Sequence, residues 1–268
     1  YGVGGAASVA KELFGDKEKE EIARMEAAQD KTSAQRAQIN TIAAEQQSVF
    51  NNETEIKSWE KSRLFRKGDT FLFSFSGFDD SIPEALHWSL DYAAAQNAKN
   101  FIIDVSYNGG GLGTVVTYIM SVLCGEDSHS EPIAMTGNTA RMKARVDKNL
   151  DEAFDKKDDA VNYDFRFGIL CSQSSYSAAN MLPCYAQDSG IAILGETSGG
   201  GSCNITAHYG SEGGLHSLSG TLKNEHPDGN DFDGGAAPDI PMPGADKDYK
   251  GFYDIEAMAK GLEAFYGQ

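Results

Sequence analysis

The chain has 268 residues, 40% of them hydrophobic and 10% aromatic, a globular composition long enough for one domain plus an appendage. Its formal net charge is −17, so no basic stripe is available to release counterions from phosphates, and nucleic acid is excluded as a natural partner. No run of about 18 apolar residues exists to span a membrane, and Cys124, Cys171, Cys184 and Cys203 form no Cys-x-x-Cys pair, which argues against zinc and thioredoxin-type chemistry.

The chain opens on Tyr1-Gly-Val-Gly-Gly, with neither a methionine nor a signal-peptide pattern, and reads as a trimmed or processed segment. From Ala7 to Gln47 it is rich in Ala, Glu, Lys and Gln. Sparse apolar positions at Ile22, Met25, Ile39, Ile42 and Val49 predict one or two polar helices with a thin apolar stripe. The plain reading is a solvated arm; the sharper one is a lid or an oligomerisation element. Residues 1–62 are taken as this arm and 63–268 as the core.

From Gly68 strands and helices alternate. Thr70–Phe75 reads as a strand, and Ser81-Ile82-Pro83-Glu84 as a capping box opening a helix to about Asn97. Phe101–Val105 is a short buried strand, followed by the loop Asn108-Gly109-Gly110-Gly111 and an apolar helix from Thr114 to Leu123. Arg141 to Asp159 is expected as an exposed helix and loop. Phe165–Cys171 reads as a strand, Ser177–Asp188 as a helix that Pro183 should kink or restart, and Ile191–Gly195 as a strand. Ser202–Tyr209 and Leu215–Leu222 suggest a hairpin. Ile255, Met258, Ala259, Leu262 and Phe265 give a closing amphipathic helix. Strands separated by helices of this length imply an α/β fold of βαβ-type units behind a helical segment.

Two loops at the C-terminal ends of predicted strands carry candidate chemistry, at the edge where open α/β sheets bind ligands. In Asn108–Gly111, consecutive glycines let the backbone turn sharply and offer unobstructed N–H groups, suited to an oxyanion. A tight turn without chemistry is the bland alternative. In Ser172-Gln-Ser-Ser-Tyr-Ser-Ala-Ala-Asn180, a serine at a helix N-terminus sits among free N–H groups, although such serines also serve as plain N-caps.

Together the segments Phe101–Gly111, Ser175-Tyr-Ser177-Ala-Ala-Asn180, Gln187-Asp188, Gly195-Glu196-Thr197 and Ala237-Pro238-Asp239-Ile240 resemble, in order and spacing, the C-terminal processing peptidases and their tricorn-core relatives. The resemblance covers residues 68–245. It implies a ClpP/crotonase-like core and peptide-bond hydrolysis through an acyl-enzyme, with no metal or organic cofactor. Carried over by position, Ser177 is the nucleophile. Ala178 and Gly110 supply the oxyanion N–H groups, Gly109, Gly111, Tyr176 and Gly200 line the substrate, and Asp233 or Asp231 is the acid.

One departure is chemical. Tail-specific members keep a lysine where this chain has Gly201, within Ser198-Gly-Gly-Gly-Ser202, so a Ser–Lys dyad is not expected. The tricorn-core branch, with serine, histidine and an acid, is the closer one. Its histidine lies before the core, where this chain offers only His87 inside a predicted helix. The base is then a histidine upstream of Tyr1, or His208 or His216 in the hairpin, or it is missing because the protein is a peptide-binding relative without catalysis. A crotonase-type acyl-CoA enzyme is the different-class alternative, disfavoured because it needs no serine at this position. A PDZ-like segment before Gly68 is also missing, the polar helices standing in its place. The partners expected are a protein or peptide substrate and a second copy through the N-terminal helices; the location expected from the resemblance is outside the cytoplasm.

Overall fold

The structure is a computed structural model describing residues 18–50, 54–125, 128–132, 138–143, 145–202, 205–209, 215–219 and 224–267. In chain order its elements are α1 (Glu18–Val49), β1 (Glu55–Ser58), β2 (Ser62–Lys67), β3 (Thr70–Phe75), α2 (Ile82–Ala95), β4 (Asn100–Asp104), α3 (Gly113–Cys124), β5 (Ser128–Pro132) and β6 (Thr139–Lys143). There follow β7 (Arg166–Cys171), α4 (Ala178–Asp188), β8 (Ala192–Gly195), β9 (Ile205–Tyr209), β10 (Leu215–Ser219), β11 (Ile240–Pro241) and α5 (Ile255–Tyr266).

A seven-stranded sheet runs in the order β1-β2-β3-β4-β7-β8-β11. The strands β3, β4, β7, β8 and β11 are parallel, while β1 and β2 extend the sheet antiparallel. The parallel strands are apolar at successive residues because both faces are covered. Along them the two faces alternate with the period of two that a pleated strand imposes. Phe71, Phe73, Phe101, Ile103, Ile169 and Ile193 point into the core beneath α2, α3 and α4. Leu72, Ile102, Leu170 and Leu194 point into a second core closed by α5 and the end of α1.

The closing helix α5 starts where Asp254 accepts the N–H groups of Glu256 and Ala257, both at 3.1 Å. It buries Ile255, Met258 and Leu262. Helix α1 is polar in sequence, yet Ile42 and Phe50 at its end are 0% and 4% exposed, and Phe50 stacks on Phe65 at 4.4 Å. The C-terminal half of α1 is therefore a layer of the core, where a solvated arm was expected. Residues Glu55–Ser58, assigned to that arm, form the edge strand of the sheet.

Three local expectations are corrected. Ser81 makes no side-chain cap; its hydroxyl and N–H both go to Asp79 Oδ1, at 2.5 and 2.9 Å, so an Asx turn precedes α2 in place of a capping box. Among its described residues Arg141–Asp159 holds no α-helix. It contributes β6, then a loop whose N–H groups are taken by Asp147, Asn149, Asp151 and Asp158, and ends in the 3-10 turn Asp158–Ala160. Those short side chains compete with helical pairing. Helix α4 does not restart at Pro183: it runs through the buried proline as one helix. The expected hairpin is present as β9 and β10, which place His208 directly opposite His216. Cys171 and Cys184 are buried free thiols, while Cys203 lies outside the described residues.

Candidate active site

The strands β4 and β7 lie side by side and in parallel, so the loops leaving their C-terminal ends meet. Hydroxyls of the second loop bind carbonyls of the first: Ser172 Oγ donates to the Ser106 carbonyl at 2.5 Å and Ser175 Oγ to that of Val105 at 2.8 Å. The Tyr176 N–H donates to the Asn108 carbonyl at 3.1 Å. Each hydroxyl thus satisfies a buried backbone group that no strand reaches.

Ser177 stands at the junction with α4. Its φ is 58° and its ψ −122°, a conformation that non-glycine residues avoid. It occupies the N-cap position but makes no side-chain cap. Its hydroxyl is therefore not used as a helix cap, in contrast to the plain reading of this serine. A strained serine at a strand-to-helix turn, with its side chain thrown outward, is the geometry of a nucleophile elbow. The residue is held by its neighbours: its N–H donates to the Gly200 carbonyl at 3.0 Å.

The glycine turn packs directly on it. A Cβ on Gly110 would lie 2.7 Å from Ser177 Cβ and 3.0 Å from the Ala178 nitrogen, and Gly110 has φ +105°, so only glycine fits. Gly111 sits equally close to Phe78, whose carbonyl a Cβ would approach to 2.2 Å. The Gly110 N–H donates to Asn108 Oδ1 at 2.8 Å, and the Gly110 carbonyl accepts from Phe78 N–H at 3.0 Å. In a trans peptide the following N–H points opposite to that carbonyl, so the Gly111 N–H projects away from Phe78. Among the described residues neither this N–H nor that of Ala178 has a recorded acceptor. Gly109 is exposed at the tip of the turn.

A third segment closes the arrangement. The Asn180 side chain, 0% exposed, has all four hydrogen-bonding positions occupied. Its Nδ2 donates to Ser202 Oγ and to the Phe232 carbonyl, both at 2.8 Å. Its Oδ1 accepts from Ser198 Oγ at 2.6 Å and from Gly200 N–H at 3.1 Å. Asn180, three residues beyond Ser177, thereby fixes the Ser198–Ser202 turn and the segment bearing Asp233. Asp233 is exposed, and its Oδ1 accepts the Gly201 N–H at 2.9 Å. Asp231 caps the 3-10 turn Phe232–Gly234 by accepting the Asp233 N–H.

The ring of half-exposed Tyr176 covers Gly201, where a Cβ would fall 1.9 Å from ring carbon Cζ. With φ +72° as well, a side chain at Gly201 would strain the backbone and displace the Tyr176 ring. His87 lies on α2 and contacts Asp91 and Tyr163. A pair the sequence gave no sign of is His226 and Asp188, joined at 2.8 Å beside an open cavity of about 730 Å³. Asp188 ends α4, about 16 Å along this 11-residue helix from Ser177. Among the described side chains, no histidine or lysine is recorded as bonding Ser177.

An α/β sheet with a strained serine pressed against a glycine turn defines a hydrolase-type architecture. The sequence profile of peptidase family S41 matches residues 72–242, and the chain belongs to that family. Among solved structures it is similar to a photosystem II D1 C-terminal processing protease (TM-score 0.53, 20% identity, 65% of this chain and 42% of that one). It is also similar to a lipoprotein from Streptococcus agalactiae (0.56, 14%, 76% and 70%) and to mature CPAF complexed with lactacystin (0.52, 16%, 80% and 57%). At these identities the likeness is one of fold. The chain spans less than half the length of the D1 processing protease. No protein of curated function matches it by sequence.

Proposed function

We propose that the chain is the catalytic core of a serine endopeptidase that cleaves peptide bonds through an acyl-enzyme on Ser177. The observation that carries this reading is the uncapped, strained Ser177 against Gly110, in a family of peptidases. The oxyanion that forms when Ser177 attacks a carbonyl would be met by the N–H groups of Ala178 and of the glycine turn. Because the Gly110 N–H is bound to Asn108, Gly111 is the better donor of the two glycines. Asp233 is favoured over Asp231 as the acid, since it reaches Gly201, next to the carbonyl that holds Ser177. Tyr176, Gly109 and Gly200 would flank the bound peptide. Gly201 beneath Tyr176 supports a histidine base over a lysine. Likeness to a lipoprotein and to the D1 processing protease supports a location outside the cytoplasm, and α1 remains the candidate surface for pairing with a second copy.

A fluorophosphonate probe tests the reading, with peptide mapping to locate the adduct. Single-site labelling at Ser177 is expected. Labelling elsewhere, or none, would favour the peptide-binding relative without catalysis.

A further inference from the structure

On the sheet face opposite α2, α3 and α4, two glutamines of α1 reach the origins of both loops. Gln46, 3% exposed, donates through Nε2 to Asp104 Oδ2 and to Ser74 Oγ, each at 2.9 Å. Asp104 ends β4, four residues before the glycine turn opens at Asn108. Its Oδ1 accepts Ser106 N–H at 2.9 Å, and its Oδ2 also accepts the Tyr253 and Ser74 hydroxyls at 2.9 and 3.0 Å. Gln38 lies eight residues earlier, about 12 Å along the same helix face. Its Oε1 accepts Ser174 Oγ at 3.0 Å, and its Nε2 donates to the Tyr249 hydroxyl. Ser174 is 0% exposed and lies three residues before Ser177.

The loop from Ser172 to Ser177 has no ladder of its own, and a backbone at φ 58° persists only where the surroundings over-determine it. Polar contacts that fix this loop therefore bear on the nucleophile. We infer that α1 is a built-in clamp on both catalytic loops, with Gln38 and Gln46 as positioning residues that hold Ser177 and the Asn108–Gly111 turn in register. The inference rests on the serine-peptidase reading of Ser177. It gives the N-terminal helix a part in the reaction that its polar composition conceals, and it makes displacement of α1 a means of lowering reactivity without touching the site.

The test uses the full chain and its Q38A, S174A, Q38A/S174A, Q38E and Q47A variants. Gln47 is an exposed neighbour on the same helix. Two readouts are taken: the rate of Ser177 labelling by the fluorophosphonate, and amide hydrogen exchange resolved along the chain. Q38A and S174A are each expected to slow labelling roughly fivefold to tenfold, with the double variant no slower than either. Q38E, which keeps an acceptor for Ser174, should recover most of the rate, and Q47A should match the parent. Exchange should quicken at residues 172–178 and stay unchanged in β3, β4 and β7. A parent chain that does not label at Ser177 overturns the peptidase reading. A parent that labels, with Q38A and S174A labelling at its rate, overturns the clamp alone. Exchange that rises equally through the sheet also overturns it, because the effect would then be on overall stability.

Discussion

The two ends of helix α4 hold different chemistry. At its start Ser177 has a strained backbone and a hydroxyl that makes no helix cap, and the N–H groups of Ala178 and Gly111 close by meet no backbone acceptor among the described residues. At its end Asp188 holds His226 in a 2.8 Å hydrogen bond, and the imidazole packs on Phe232 at 4.6 Å. A histidine, an acid and a serine are thus all attached to one helix, yet they do not make a triad. Eleven residues of helix set Asp188 about 16 Å from Ser177, far beyond hydrogen-bond reach, and it is Asp188 that the imidazole bonds. Residue types alone do not make a site; what decides is which end of a rigid element each one occupies.

The strongest way to break this comparison is at Ser177. Ser177→Ala should reduce probe labelling, and any peptidase turnover, about a thousandfold or more, measured against a parent of equal thermal stability.

Asn180 offers the next largest effect. Asn180→Ala leaves Ser198, Ser202 and the Gly200 N–H without their buried partner. A loss of about 2–3 kcal/mol is expected in denaturant unfolding, accompanied by slower labelling as the Gly200 carbonyl loosens its hold on Ser177. Unchanged stability would show that water replaces the side chain and that the turn is held by other contacts.

The two aspartates sharpen the assignment of the acid. Asp233→Asn should lower peptidase turnover by about tenfold or more with little change in melting temperature. Asp231→Asn should mainly weaken the 3-10 turn that it caps, by about 1 kcal/mol or less. Equal turnover in both variants would show that neither acid serves the reaction. At the far end of α4, His226→Ala is expected to leave the labelling rate within about twofold of the parent, since the imidazole does not reach Ser177. A loss of orders of magnitude would mean that α4 does not separate the pair from the site in solution.

The smallest effect concerns the turn that supports Gly110 and Gly111. The Lys61 ammonium, 2.8 Å from Asp79, together with the Ser81 hydroxyl, lowers the Asp79 carboxyl from 3.8 to about 2. A lowered folded pKa means that this pair stabilises the fold above about pH 4, and that the contribution is lost as pH falls towards 2. Lys61→Ala should therefore melt slightly below the parent at neutral pH, and the two melting curves should converge near pH 2. A gap that stays constant with pH would show that Lys61 acts through packing alone.

Much of this was legible in the sequence because it depends on local pattern. The strands Thr70–Phe75 and Phe165–Cys171 are announced by apolar runs bounded by turns, and the glycine turn and serine-rich loop follow from their position after such strands. The helix through Ile255, Met258 and Leu262 is announced by its period. Where the reading failed, a local pattern had competitors that the chain order does not reveal. Ser81 caps nothing because Asp79, two residues earlier, takes both its donors. The segment Arg141–Asp159 is charged enough for a helix, but its aspartates bind backbone N–H groups instead.

By itself the sequence determined the α/β class and the family, and it singled out Ser177 as the candidate nucleophile. These rest on periodicity and on motifs a few residues long. Only the tertiary structure decided that polar helix α1 belongs to the core, because Gln38 and Gln46 find partners more than 25 residues away, in Ser74, Asp104, Ser174 and Tyr249. Only it decided that His226 pairs with Asp188, and that the Gly110 N–H is already taken. A hydrogen bond depends on distance and direction in space, and residues distant in sequence acquire both only when the sheet brings their strands together.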